Sequence, residues 1–472
     1  MHDRPSPLQR LPFNLIAWPM QAAFAGAQQM YRAGLLAAVN LRRGMAGKAP
    51  VEWPSTGQTP TEVVWSEGAA RLLRFRRTSP GSPASTGGTD SVDAHASKPA
   101  VLLVCSLINR PYILDLLPER SVVGGLLDAG LDVWLLDWGH PRPEDERLGL
   151  AHYALGALPR AARAVAAAVG APPHVLGYCM GGTFALMALA AGQLEAQSLV
   201  AMATPVDFHD TGLLSQWCRA PGFDPAELAA AHGNLPPYIL QPAFKALDPV
   251  GLASKFVHLD AKIGDDDFLR FFFAMEGWLE DSVAFPGRAF EEWVALYREN
   301  ALARGALAID DQPIDLRRVV CPILNIVAER DYITPGPSSL ALGALVGSRD
   351  YELVQMSGGH IGLSTGGAAH KHLWPKVAAW LHARTAAAPA GSAAPRTAGA
   401  GAQRPSKSAA AAVGASGHVA PPAKPHGRAP VAAKAPRARK EPGVAATRTP
   451  RARKKPSVAA ASPPRAPSRS RR

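Results

Sequence analysis

The chain is poor in three things. It has only four cysteines in 472 residues, Cys105, Cys179, Cys218 and Cys321. Their separations match neither a disulfide framework nor a metal-ligand set, which suits a reducing cytoplasm and gives no sign of a metal site. It has no apolar run long enough to cross a bilayer. The nearest, Leu11 to Val39, is interrupted by Asn14, Gln21, Gln28, Gln29 and Arg32. That segment also lacks a short apolar core followed by a small-residue cleavage site, so it is not read as a signal peptide. Acidic residues are the third scarcity, and they are scarce at one end only. From Thr385 to Arg472 there are 18 Lys and Arg against one acid, Glu441. The whole chain carries +12, so a net +17 there leaves −5 for the remainder. The folded body is mildly acidic, and the strongly basic tail, 385–472, has almost no apolar bulk to bury. It is expected to be disordered. It also lacks aromatics for base stacking, so any hold on DNA or RNA would be non-specific and salt-sensitive.

What is present sorts into five parts. Residues 1–60 hold an amphipathic helical segment, expected to break near Pro19, which either packs on the body or meets a partner. Residues 61–206 begin with a hairpin, Thr61 to Arg77, followed by a Ser/Gly/Pro-rich insert, Thr78 to Ser97. A doubly wound rhythm then starts. Ala100 to Cys105, Asp132 to Asp137, His174 to Leu176 and Ser198 to Ala203 read as buried strands. Ser121 to Ala129, Leu150 to Val169 and Thr183 to Ala191 read as the helices between them. Residues 207–315 break the rhythm with an aromatic-rich helical insert, read as a cap over the sheet. Residues 316–384 resume it, with strands Cys321 to Ala328 and Tyr351 to Met356, a helix Ser338 to Val346 and a closing helix Lys371 to Ala383. The fold class expected is α/β, an α/β-hydrolase fold with a mainly parallel sheet, a helical cap insertion and a basic tail.

The chemistry is concentrated in His174-Val175-Leu176-Gly177-Tyr178-Cys179-Met180-Gly181-Gly182. A strand, a sharp turn and a helix start, with small residues two before and two after Cys179, form a nucleophile elbow that carries Cys where most carry Ser. The Met180 N–H would face a developing oxyanion, and the helix start would favour a thiolate. A nucleophilic Cys needs a base, and the base needs an orienting carboxylate. Asp331 follows one strand and His360 follows the next, in the order nucleophile, acid, base. His360 is read as general base and Asp331 as its orienter. The loop after Ala100–Cys105 would give a second oxyanion donor, the N–H of Leu107 or Ile108. His140, His152, His209 and His370 do not fit that order.

Several motifs together resemble the polyhydroxyalkanoate synthases. They are Gly177–Gly182, Asn109-Arg110-Pro111-Tyr112-Ile113-Leu114-Asp115-Leu116, Asp137-Trp138-Gly139, Thr204-Pro205-Val206-Asp207-Phe208, Glu329-Arg330-Asp331 and Gly358-Gly359-His360-Ile361-Gly362. The similarity runs from about Thr61 to Arg384. The compact start looks most like the synthases that work with a second subunit. The resemblance implies polymerisation of (R)-3-hydroxyacyl-CoA, typically the hydroxybutyryl thioester, with release of CoA. Cys179 would carry the chain as a thioester and His360 would deprotonate it. Either His360 or Asp331 would activate the substrate hydroxyl. It also implies a homodimer, a second synthase subunit and attachment to polymer granules. Met180 stands where a Gln is frequent, and the insert Thr78–Ser97 and the tail lie outside the pattern. The tail resembles those of nucleoid-associated granule proteins and linker histones, so a DNA tether is expected of it.

Two rival classes remain from the sequence. One is a Cys hydrolase of the dienelactone, thioesterase or depolymerase type, from which only water exclusion separates chain growth. The other is a non-catalytic granule or nucleoid scaffold, which would have no need of Cys179, Asp331 and His360 together.

Overall fold

A computed structural model describes residues 11–77, 98–210 and 212–385, with the side chains of the first helix described from Ala23 onward. The insert expected at Thr78–Ser97 and the tail beyond Thr385 lie outside the described residues.

The centre is an eight-stranded sheet. Its strands are β1 (Thr61–Glu67), β2 (Ala70–Phe75), β3 (Ala100–Val104), β4 (Asp132–Asp137), β5 (His174–Tyr178), β6 (Leu199–Met202), β9 (Ile323–Ala328) and β10 (Tyr351–Met356). A two-residue pair, β7 (Ala308–Ile309) and β8 (Gln312–Pro313), stands apart. The order in the main sheet is β1-β2-β4-β3-β5-β6-β9-β10. From β4 to β10 every pairing is parallel, and only the β1–β2 hairpin and its junction with β4 are antiparallel. This is the mainly parallel sheet of an α/β-hydrolase fold.

The continuous apolar runs explain the sheet's position. All residues of β3, β4, β5, β6 and β9 are buried. Alternate residues of β3 feed separate cores. Leu102 and Val104 face the side holding α3 (Leu158–Val169) and α4 (Met180–Ala190). Val101 and Leu103 face the side holding α2 (Val122–Asp128) and the closing helix Trp374–Ala383. With both faces covered these strands are mostly apolar, and their few polar side chains find partners inside. Asp132 and Asp137 accept from Arg74 and Arg71, His174 meets Ser198, and Asn325 donates to the Ser339 carbonyl. Ser121 caps α2 through its side chain.

Two local expectations need correction. The first helix, α1 (Leu11–Met45), continues through Pro19; an interior proline removes one intrahelical hydrogen bond and crowds the carbonyl four residues before it, a cost of about 3 kcal/mol that a long helix packed elsewhere along its length can absorb. The helix expected at Ser338–Val346 is two short pieces, Gly336–Leu340 and Leu342–Leu345, because Pro335 and Pro337 start it early.

Between β6 and β9 lie α5 (Leu213–Cys218), α6 (Pro225–His232), α7 (Pro237–Lys245), α8 (Pro249–Ala261), α9 (Asp266–Glu280) and α10 (Gly287–Glu299). The inner side of α1 packs on this insert. Val39 joins Leu259, Leu269, Phe272 and Phe273 in one cluster. Arg43 is buried, donating to the Ala49 and Ile263 carbonyls and to Asp266 at 2.6 Å. Tyr31 donates to Glu276 at 2.7 Å. The outer side of α1 leaves Met30, Leu41 and Met45 exposed.

Candidate active site

The elbow is built by close approach. Cys179 sits between β5 and α4 with φ 57 and ψ −124. A non-glycine residue there costs about 1–3 kcal/mol, and the turn is pinned by Cys179 N–H donating to the Met202 carbonyl at 2.8 Å. The neighbouring glycines are sterically required. A Cβ on Gly177 would lie 2.3 Å from the Gly182 Cα, and one on Gly181 would lie 2.1 Å from the Val104 carbonyl oxygen. The second contact presses the elbow against the end of β3, so the loop that follows β3 runs beside Cys179.

The other two residues arrive from β9 and β10. His360 Nδ1 donates to Asp331 Oδ2 at 2.7 Å. Asp331 Oδ1 accepts the Ile333 and Thr334 N–H groups at 2.9 and 2.8 Å. Both carboxylate oxygens are therefore fixed, and the carboxylate is buried. The remaining side of the imidazole hydrogen-bonds Cys179. Tyr178 stacks on the ring, centroids 5.1 Å apart, and its hydroxyl donates to the His360 carbonyl at 3.1 Å. Cys179, His360 and Asp331 thus form one hydrogen-bonded series at the C-terminal edge of the sheet.

Electrostatics set the thiol apart from the other three. Burial pushes the Cys179 thiol up, but the charge and hydrogen bond of His360 and a hydrogen bond from Ser106 outweigh it, and the net shift is downward. Burial likewise pulls the His360 imidazole down, but Asp331 and Cys179 together push it up to about 10. Both shifts favour a thiolate–imidazolium pair. Burial pushes the Cys105, Cys218 and Cys321 thiols up, so they are poor nucleophiles.

The β3 loop supplies what the sequence did not reveal. Ser106 is buried beside Cys179, and its only prior signal was a hydroxyl directly after a strand end. Ile108 and Met180 line the same cavity as Cys179. The Leu107 side chain is buried in the core. Met180 opens α4, so its N–H has no partner within the helix. The helical insert clamps this loop. Val283 N–H donates to the Ile108 carbonyl at 3.2 Å, and the Trp278 indole donates to the Arg110 carbonyl at 2.8 Å. From behind, the Trp138 indole donates to the Cys105 carbonyl at 2.9 Å. The Thr204–Phe208 segment ties the sheet to α10. Asn300 donates to Asp207 at 2.8 Å and accepts the Phe208 N–H at 2.9 Å.

The series opens into a cavity of about 610 Å³. Sheet-edge residues form its floor, and apolar insert residues such as Phe244, Trp278, Phe285 and Trp293 form its walls. The competing histidines have other engagements. His140 faces Arg110 at 3.2 Å, His209 bonds the Arg298 carbonyl, His370 bonds the Ser364 carbonyl, and His152 packs edge-on to Tyr153. Among the described residues no helix is long and apolar enough to cross a membrane. No group of three or more His, Cys, Asp or Glu there is placed to hold a metal ion.

Comparison with known proteins gives the family. Residues 114–366 match the family model described as the alpha/beta hydrolase fold. The poly(3-hydroxyalkanoate) polymerase subunit PhaC of Allochromatium vinosum is 35% identical over 348 residues, covering 73% of this chain and 94% of that one. The protein of the same name from Synechocystis is 34% identical, covering 70% and 85%. That from Haloferax mediterranei is 36% identical, and the match spans 65% of its length and 70% of this chain. Among solved structures, a soluble variant of the Saccharomyces cerevisiae monoglyceride lipase is 13% identical with a TM-score of 0.45, covering 71% of this chain and 99% of that one. The chain therefore belongs to the poly(3-hydroxyalkanoate) polymerases, a family of acyltransferases within the α/β-hydrolase superfamily.

Proposed function

We propose that this enzyme polymerises (R)-3-hydroxyacyl-CoA, the 3-hydroxybutyryl thioester above all, with the growing chain carried on Cys179. The observation that carries the reading is the Cys179–His360–Asp331 series at the floor of an apolar cavity, in a chain of this family.

His360 takes the thiol proton, and the Cys179 thiolate attacks the thioester carbonyl of the bound monomer. Negative charge collects on the carbonyl oxygen. The Met180 N–H at the start of α4 receives it, with the N–H of Leu107 or Ile108 as second donor. The tetrahedral centre collapses by breaking the C–S bond to CoA, and His360 returns the proton to the departing thiolate. For growth, His360 or Asp331 takes the proton from the 3-hydroxyl of a second monomer, still joined to CoA, as that oxygen attacks the acyl-Cys179 carbonyl. The acyl–Sγ bond breaks and Cys179 leaves as thiolate. The chain, one unit longer and now a CoA thioester, is taken back onto Cys179 by the same exchange with release of CoA. Each exchange of one thioester for another is nearly isoenergetic, so a thiol keeps the chain transferable. The apolar walls disfavour water against the hydroxyl nucleophile. No bound cofactor enters this scheme, because CoA arrives as part of the substrate.

The test is CoA release from (R)-3-hydroxybutyryl-CoA, followed by solvent extraction. Release with extractable polymer, lost in Cys179→Ala, supports the reading. Release with free hydroxybutyrate alone makes the chain a thioesterase and refutes it.

Several finer proposals accompany it. The relatives named above are described as subunits, and we propose that this chain too acts with a second synthase subunit, as a homodimer on cytoplasmic polymer granules. Adding a candidate subunit should shorten the lag in CoA release. The basic tail, 385–472, is proposed to tether the enzyme to DNA through non-specific, salt-dependent contacts. Equal DNA affinity with and without it in a gel-shift titration would rule that out.

A further inference from the structure

We infer that the outer face of α8 seats the growing polyester where it leaves the cavity, an inference that rests on the function proposed above. A cavity of about 610 Å³ holds a ligand of ordinary small-molecule size, hence only a few monomer units. A polymer has no such limit, so its older end must pass out through a mouth and lie against the protein surface or the polymer beyond it.

One rim of the cavity leads to such a surface. Leu252 on α8 and Trp217 on α5 line the cavity, yet both are about 37% exposed, so they stand at its edge. Next to Leu252 on α8 comes Phe256, 40% exposed, and then Val250 and Val257, which are 77% and 70% exposed. Positions 252 and 256 form one stripe of the helix, and positions 250, 253 and 257 form the adjoining one. Ala253 is also exposed. Among the described residues of α8 the only charge on this arc is Asp260 near the helix end, and it is paired with Arg42. A soluble helix ordinarily turns such a face inward. Here the inward side of α8 holds Leu259 and the half-buried Lys255, which pairs with Glu276 and sets its ammonium 4.9 Å from the centre of the Phe256 ring, while Val250, Ala253 and Val257 face out.

The continuity with the cavity identifies the occupant. An aliphatic polyester leaving a catalytic cavity over Trp217 and Leu252 remains on apolar surface across Phe256, Val250 and Val257. The same contact holds the enzyme on polymer already made, and apolar area taken from water drives it. A CoA thioester has the opposite need, because its phosphates require water or unpaired cations, and the two lysines lining the cavity, Lys245 and Lys255, are paired with Glu280 and Glu276.

The experiment uses the full chain with Cys179→Ala, so that no covalent chain tethers it. Its binding to amorphous poly(3-hydroxybutyrate) nanoparticles is measured by co-sedimentation. V250S/F256S/V257S should weaken binding by about tenfold or more, as expected when three apolar side chains no longer meet the polymer. V257S alone, a change at a well-exposed site, should shift binding the same way and guards against misfolding. M30S/L41S/M45S on α1 removes a comparable amount of exposed apolar surface and should leave binding unchanged. Equal loss with both triple variants would mean general hydrophobic adsorption and would overturn the inference. So would unchanged binding of the α8 variant. Sedimentation velocity gives a further check, since a dimer that falls apart in the α8 variant while polymer binding persists would make this face a self-association surface instead. None of these readings needs turnover, so failure here leaves the CoA-release test intact.

Discussion

Asp331→Asn perturbs the site through a single atom. Asp331 Oδ1 accepts two backbone N–H groups and Oδ2 accepts from His360. Asparagine has one oxygen. Turning it toward His360 would set the amide NH2 against the Ile333 and Thr334 donors, at about 1–3 kcal/mol for each buried group left unpaired. The favourable orientation keeps the oxygen on the backbone and points the NH2 at His360 Nδ1. That nitrogen must then accept, which moves the ring proton to Nε2, facing Cys179. A protonated, neutral Nε2 cannot take the thiol proton. The charge is lost as well. Burial pulls the imidazole down, yet Asp331 and Cys179 raise it from 6.5 to about 10. Of the attractions that favour the cation, the Asp331 charge is the largest, so without it burial weighs toward a neutral ring. Loss of general-base function should lower kcat for CoA release by about 10²–10⁴-fold, with little change in KM. The pH profile of Cys179 alkylation by iodoacetamide should also move upward, since a neutral His360 no longer favours the thiolate. A variant within about threefold of the parent kcat, with an unmoved alkylation profile, would refute the assignment of Asp331 as orienter.

Three further outcomes follow from the same geometry. In the parent enzyme, alkylation of Cys179 should reach half its maximal rate below pH 9, the ordinary thiol value, because the thiolate forms as pH rises through a lowered pKa. Pairing with His360 should persist until the imidazolium loses its proton near pH 10, while Cys105, Cys218 and Cys321 remain unlabelled; peptide mapping after a short pulse reads both. Gly181→Ala sets a methyl 2.1 Å from the Val104 carbonyl oxygen, which should destabilise the fold by about 1–3 kcal/mol and displace the Met180 N–H, measured by urea unfolding and by kcat. Asn300→Ala removes both ties to Asp207 and Phe208, leaves a buried N–H unpaired and keeps a positive φ of 49. Urea unfolding should show a loss of about 2–4 kcal/mol.

Those features legible in the sequence are the ones imposed locally. Gly177 and Gly181 are dictated by atoms less than 3 Å from where a Cβ would stand, so the elbow is written into six consecutive residues. Continuous apolar runs mark β3 and β6, and β5 and β9 each carry a single buried polar residue, His174 and Asn325, because both faces of each strand are covered. Asp331 and His360 could be picked out because a parallel sheet brings successive strand ends to one edge. What escaped the sequence depends on distant pairs. The hold of Trp278 on Arg110 joins residues 168 apart, and the seat of α1 depends on Arg43 reaching Asp266. Ser106 escaped because a serine after a strand looks like any turn residue until the elbow is folded against it. The exposed side of α8 was hidden by the habit of reading apolar periodicity as a buried face.

The central claim is that Cys179 carries the growing chain as a thioester. The direct measurement is acid quenching of the enzyme during turnover of (R)-3-hydroxybutyryl-CoA, then proteolysis and mass spectrometry of the peptide containing Cys179. A ladder of masses spaced by one hydroxybutyryl unit, removed by neutral hydroxylamine and absent in Cys179→Ala, is the result expected. Unmodified Cys179 throughout steady CoA release, or release that persists in Cys179→Ala, would contradict it.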